Sequence, residues 1–204
     1  MSSDPETASS TPVKPHWAQP SHPGLIELRL AANASEFTSS AHSLVSLPAG
    51  ALFAQLTFPP LERVPAKAYS TVQISQTEHV ELNSDLIYVN HSCAPSLEFD
   101  VSPERMEVRV ARGRPLAPGD ELTFFYPSSE WEMAQPFACR CGESVCKGWI
   151  AGARQMGRTR MQGMWLNRFI EELLDEEESR ATKGTKQGQT QAPTEAKPSR
   201  CCIQ

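Results

Sequence analysis

The sequence predicts a mainly β fold built of short strands and closed by one C-terminal α-helix. Three observations predict it. From Leu25 onward, short apolar stretches are separated by turn chemistry. Several of these stretches alternate apolar and polar residues with period two, and after Trp149 the apolar period lengthens to that of a helix. At 204 residues the chain fits one domain with tails, and 39% hydrophobic residues suffice for a core. A formal net charge of −5 argues against a basic, nucleic-acid-binding face.

The elements follow in order. Residues 1–24 are rich in Ser, Thr and Pro and read as a flexible leader; they hold no apolar run of the kind a secretory signal carries. Strand-like stretches then succeed one another: LIELRL, HSLVSLPAG, ALFAQLTF, YSTVQIS, HVEL, DLIYV, SLEFDV, MEVRVA and ELTFFY. Met106, Val108 and Val110 alternate with Glu107 and Arg109, the pattern of a half-buried strand. Leu47-Pro48-Ala49-Gly50 and Pro118-Gly119-Asp120 have the composition of turns. Beyond Trp149, Met161, Trp165, Phe169 and Leu173 recur every four residues beside Leu166, Ile170 and Leu174, which predicts an amphipathic helix over 151–180. Its end, EELLDEEE, sets acid where the macrodipole disfavours it; this reads as a solvated end or as a contact for a basic partner. Residues 181–204 read as a disordered tail.

The cysteines carry the first chemical signal. With no secretory signal and no apolar run of membrane length, the expected compartment is cytosol or nucleus, where clustered thiols read as metal ligands before disulfides. Cys139, Cys141 and Cys146 form C-x-C-x4-C, and a structural zinc wants a fourth ligand. Cys201 and Cys202 sit at the end of the tail, where fixing a ligand would cost the ordering entropy of the whole segment. Cys93, in YVNHSCAP between a predicted strand and Pro95, is the better candidate. Cys139 and Cys141 alternate in an extended segment, and Gly142 permits the turn back towards Cys146. The competing reading is a set of unligated thiols.

Asn90-His91-Ser92-Cys93-Ala94-Pro95 resembles the N-H-S-C-x-P motif of the SET-domain protein lysine methyltransferases. Gly119-Asp120-Glu121-Leu122-Thr123-Phe124-Phe125-Tyr126 resembles their G-[ED]-E-L-T-x-x-Y segment, and the later cysteine triplet resembles their post-SET motif. The resemblance spans roughly Ser43 to Trp149. It implies a SET-type β-clip with pseudoknot-like threading over 25–130 and a post-SET loop over 131–150, with zinc shared by Cys93, Cys139, Cys141 and Cys146. It also implies S-adenosylmethionine as cofactor, contacted by Asn90, His91 and Tyr126, with Tyr126 beside the transferred methyl group. The family's glycine-rich G-x-G turn corresponds to Phe37–His42, which contains no glycine.

The activity so implied is methyl transfer to a lysine of a protein substrate. Phe124, Phe125 and Tyr88 are candidates for an apolar channel that strips water from the amine and favours its neutral form; each has core packing as its alternative. His91 as metal ligand or general base is a further option. Two other functions remain open: a SET-like binding module without catalysis, for which the missing G-x-G speaks, and an enzyme acting on a small molecule, for which the short stretch between Leu61 and Asp85 speaks. The last four residues, Cys201-Cys202-Ile203-Gln204, fit C-a-a-X and would place a farnesyl group on Cys201. One such chain anchors weakly to a membrane.

Overall fold

A computed structural model describes residues 15–31, 38–57, 60–65, 67–68 and 70–187. The C-a-a-X expectation at Cys201 and most of the predicted tail lie outside these residues. Among the described residues strands dominate, as expected, in five small sheets. β1 (Ile26–Arg29) pairs antiparallel with β2 (Ser40–Ser43). β3 (Leu52–Gln55) joins β8 (Leu97–Asp100) and β9 (Glu107–Val110) in a sheet with β9 at the centre. β4 (Glu62–Val64), β5 (Thr71–Gln73) and β6 (His79–Glu81) make another, with β6 at the centre. β7 (Asn90–His91) lies parallel to β10 (Thr123–Phe124), and β11 (Phe137–Ala138) pairs with β12 (Trp149–Ile150). No helix among the described residues is long and apolar enough to cross a membrane.

The alternation read from the sequence points where it should. Val108 and Val110 are fully buried, within a core that includes Phe53, Leu97, Phe99, Leu116 and Leu122. Burial of each such side chain is worth about 1.5–3 kcal/mol. Glu107 is also buried, but its Oε1 accepts from Arg109 Nε at 2.7 Å and from Arg105 at 3.3 Å. A second, smaller core gathers Cys93 and Phe125 with Ile150, Ala153, Met156, Met161, Ile170 and Leu174.

Two expectations need correction. The single helix over 151–180 is two helices, α1 (Ala153–Arg160) and α2 (Arg168–Gln187). The four-residue apolar spacing begins at Met161, just past α1, crosses the connection at Trp165 and enters α2 at Phe169, but Gly157 at φ 67° kinks α1 and Gly163 at φ 82° follows it, conformations that interrupt a right-handed helix. Met161, just past the end of α1, and Ile170 of α2 are buried all the same. Between the helices, buried Asn167 holds three backbone groups: its Oδ1 accepts from Val101 N–H at 3.0 Å, and its Nδ2 donates to Phe99 O at 2.9 Å and Ser128 O at 3.0 Å. The turns of α2 up to Leu174 belong to the main unit; Asp175–Gln187 forms a separate one, with Arg180 paired to Glu176 at 3.0 Å.

The second correction concerns the leader. Residues 15–24 are fastened to Asp85, a fully buried carboxylate in the turn Asp85–Tyr88. Its Oδ1 accepts from Trp17 Nε1 at 2.8 Å and Gln19 Nε2 at 2.9 Å, and its Oδ2 from Ser21 N–H at 2.8 Å. Burial alone would raise the Asp85 pKa, but the hydrogen bonds from Gln19, Trp17 and Ser21 outweigh it and hold the carboxyl below its ordinary value. The stability this contributes is therefore present above the unfolded-state pKa and lost as pH falls through the lower folded value. Asp85→Asn is expected to cost about 2–3 kcal/mol, the scale of hydrogen bonds to a charged group. Urea titrations followed by tryptophan fluorescence would read the loss, and the variant should lack the acid-side decline that the carboxylate confers.

Candidate functional site

The parallel pair β7–β10 builds the site. Asn90 stands opposite Thr123 and His91 opposite Phe124, and Ser92 N–H donates to Phe124 O at 3.1 Å. Two motifs more than 30 residues apart thus lie side by side, and a cavity of about 1060 Å3 opens against them. Tyr126 and Tyr88 line it, with Ser39 and Phe137 among the other walls. Such a volume reaches the upper range of small-ligand pockets.

Asn90 spends its amide donors on the protein itself: Nδ2 donates to Ser39 O at 3.0 Å and to Glu121 Oε1 at 3.2 Å. Ser39 belongs to the glycine-free stretch that stands where a G-x-G turn is expected. A side-chain amide therefore tethers the backbone there. His91 is half-buried. Tyr126 N–H donates to Nδ1 at 3.2 Å, and Nε2 lies 3.5 Å from Cys93 Sγ. Burial pushes the His91 pKa down to about 4, so the ring is neutral near pH 7. Its partners then assign the proton to Nε2, which donates to the Cys93 sulfur. Phe125, Tyr126 and Phe137 ring the imidazole at centroid distances of 5.5, 5.3 and 5.6 Å.

Tyr126 donates its hydroxyl to Val89 O at 3.2 Å. Burial, with the negative charges of Glu130 and Glu121 adding, holds that hydroxyl above the ordinary phenol pKa. It remains a donor at any working pH. Phe124 lines the cavity while stacking on Phe99 at 4.2 Å, so its channel and core readings coincide. Phe125 departs from the channel expectation: it is buried in the second core, beside His91 and Cys93. Alternation along a strand dictates this, since neighbours in an extended segment face opposite sides.

Cys93, Cys139, Cys141 and Cys146 converge, their sulfurs all within 4.8 Å of one another. The Cys93 and Cys139 sulfurs are 3.9 Å apart. A tetrahedral ion with metal–sulfur bonds of about 2.3 Å would need a sulfur–sulfur edge of about 3.8 Å. Gly142 turns at φ 73°, as its place in the loop demands. Lys147 N–H points at Cys93 Sγ (3.3 Å) and Gly148 N–H at Cys146 Sγ (3.4 Å), contacts that offset negative charge on thiolates. Donor type, number and spacing fit one thiophilic cation. Cys139 and Cys141 also line the large cavity, so the loop they hold forms part of its wall.

Residues 15–127 match the family described as SET domain. The chain belongs to that family. The SET match begins at residue 15 and so takes in the segment fastened to Asp85, earlier than the boundary at 25 read from the sequence. A protein of Aspergillus flavus named methyltransferase flvH is 52% identical over 160 residues, covering 78% of this chain and 86% of that protein. A histone-lysine N-methyltransferase, H3 lysine-36 specific, of Chaetomium globosum is 36% identical over 73 residues, 35% of this chain but 8% of that protein. The histone-lysine N-methyltransferase ash1 of Drosophila melanogaster is 35% identical over 77 residues, 36% of this chain and 3% of that protein. Membership of the SET family and these relatives support a methyltransferase activity.

Sequence reasoning did not single out three groups that line the cavity. Val89 offers only its carbonyl, which no side-chain pattern reveals. Ser39 likewise acts through its backbone. Glu130 lines the cavity one short turn after Tyr126, within SSEWE, where no periodicity or motif marks it.

Proposed function

We propose that this chain transfers a methyl group from S-adenosylmethionine to a lysine side chain of a protein substrate. The observation that carries the proposal is the parallel pair β7–β10, which sets the Asn90-His91 backbone and the Tyr126 hydroxyl along one cavity. When bound, the cofactor supplies an electrophilic methyl on a sulfonium. Asn90, His91 and Tyr126 would hold it. Tyr126, a neutral donor whose oxygen lone pairs stay available, orients the amine and accepts weak C–H contacts from the polarised methyl group. Tyr88 and Phe124 exclude water, which favours the uncharged nucleophile. Cys93, Cys139, Cys141 and Cys146 would hold a structural zinc that keeps the loop against the cavity.

One observation favours a second acceptor class. A carboxylate, Glu130, lines the cavity, where its charge would hold a small free amine without the peptide contacts that a protein substrate brings. Purified protein incubated with S-adenosylmethionine bearing a labelled methyl group, a protein extract and a separate small-molecule fraction distinguishes the two. Label is expected in protein. Tyr126→Phe should lower transfer at least tenfold, the equivalent of losing about 1.4 kcal/mol of transition-state contact. Label confined to small molecules would move the reading to the second class. Failure to bind S-adenosylmethionine by calorimetry would leave a non-catalytic module.

A further inference from the structure

Glu130 is a carboxylate that the reading above leaves without a task. Its N–H donates to Tyr126 O at 3.1 Å, which places it next to the tyrosine along the chain's turn, and both residues line the same cavity. One carboxylate oxygen is fixed: Oε1 accepts from Gln73 N–H at 2.9 Å. Gln73 is buried and locked in its turn, since its Oε1 accepts from Trp131 N–H at 2.9 Å and its Nε2 donates to Ser75 O at 2.7 Å. The other oxygen, Oε2, has no hydrogen-bond partner among the described residues. A carboxylate is thus aimed by β5 and left with one oxygen for a ligand.

The groups around it do not neutralise it. Lys67 acts on it electrostatically, but its ammonium is paired with Glu132 Oε2 at 3.4 Å, and Arg154 with Glu132 Oε1 at 2.8 Å. Tyr126 keeps its proton, and Glu121, also in the cavity lining, is engaged by Asn90. Burial pushes the Glu130 pKa up to about 7, against the opposing pull of Gln73 N–H and Lys67. An ordinary glutamate is too weak a base to take a proton from an alkylammonium of pKa about 10.4; a carboxyl near 7, facing an amine whose own value the dry cavity lowers, is far better matched.

We propose that Glu130 receives the proton which the acceptor amine must shed before it is methylated. The proposal rests on the methyl-transfer reading of the cavity. The amine enters as an ammonium without a lone pair. One N–H proton passes to Oε2 of the ionised Glu130. The freed lone pair forms the new C–N bond while the C–S bond breaks and leaves its electron pair on sulfur, so the sulfonium becomes a neutral thioether and the product a methylammonium. Glu130 then loses its proton to water.

Glu130→Gln tests this, because the amide oxygen can still accept from Gln73 N–H while the base is gone. For the wild-type protein, kcat/KM towards whichever acceptor takes label is expected to rise with pH through a limb near 7. In the variant that limb should move above pH 9, with kcat at pH 7.5 lower by about a hundredfold, the scale of general-base contributions, and KM changed much less. A second reading needs no turnover: n-butylamine, titrated calorimetrically into the purified protein, should bind more tightly as pH rises through 7, when Glu130 ionises and the amine is still cationic. In Glu130→Gln the binding should weaken at least tenfold and lose that pH dependence. A wild-type limb found only above pH 9, or a limb near 7 that survives in the variant, would overturn the proposal while leaving methyl transfer intact. Absence of transfer by the wild-type protein would remove the methyl-transfer reading and this one with it. Should the variant misfold, the wild-type profile and the amine titration decide alone.

Discussion

Cys93→Ser is expected to reduce bound zinc from one ion per chain to a small fraction of that, and to destabilise the protein by about 3 kcal/mol or more. The figure follows from the free energy of a four-ligand structural zinc, about 10–16 kcal/mol near neutral pH in small domains, shared among its ligands. Cys93 is the ligand whose loss should spread furthest. It comes from the strand body, whereas Cys139, Cys141 and Cys146 come from the loop, so it alone ties the two together. It also accepts from Lys147 N–H and lies against His91, whose other ring nitrogen accepts from Tyr126 N–H. A break at the sulfur therefore reaches the backbone of the tyrosine through one imidazole. The loop carries Phe137 and Cys139 into the cavity wall, so binding of S-adenosylhomocysteine should fall with the metal. Elemental analysis of freshly purified wild-type and variant protein, with urea unfolding of both, checks each part. A wild-type chain free of metal, or a variant that holds it equally well, would defeat the assignment.

What could be read in the sequence, and what could not, follows from the range of the interactions involved. Val108 and Val110 announced their strand because burial alternates with the pleat, a local rule. The cysteine set could be assembled because thiolate coordination demands a definite number and type of donor. The pairing of β7 with β10 is different: two residues on each side are too few for any periodicity, and only the resemblance of both motifs to one family brought them together. The helix was misread because apolar spacing continues across Gly163, whose left-handed conformation, like that of Gly157 before it, matters more than the spacing. Residues 15–24 looked unattached because their anchor, Asp85, lies more than 60 residues away and is itself an unremarked aspartate before an apolar stretch. Glu130 was silent for a related reason. Its environment is made by Gln73 of β5 and by the turn after Tyr126, neither of which leaves a mark on the residues flanking it.

The segment that carries Glu130 is pressed closely against Gly152, and Gly152→Ala is expected to expose this. A Cβ at position 152 would stand 2.3 Å from Trp131 O and 2.5 Å from Glu132 Cα. Both are backbone atoms, so no side chain can rotate away to make room. Conformation is no obstacle, because Gly152 has φ −62° and ψ 160°, which alanine adopts freely. In open space the substitution would stabilise by about 0.4–1 kcal/mol through the unfolded chain. A loss of about 1–3 kcal/mol is expected instead, the cost of forcing two packed backbones apart. The contact is close because α1 begins on this segment: Ala153 N–H donates to Glu130 O at 2.7 Å, and Arg154 N–H to Trp131 O at 3.1 Å. The carbonyls of 130 and 131 thus satisfy N–H groups that the first turn of a helix leaves without partners. Separating them should move Glu130 relative to Tyr126. Methyl transfer should then fall further than cofactor binding, at temperatures where the variant is still folded. Urea unfolding gives the first quantity, and the ratio of transfer rate to S-adenosylhomocysteine affinity gives the second. An unchanged unfolding midpoint would mean that 130–132 yields freely, and a carboxylate on yielding backbone could not be held in place to take a proton.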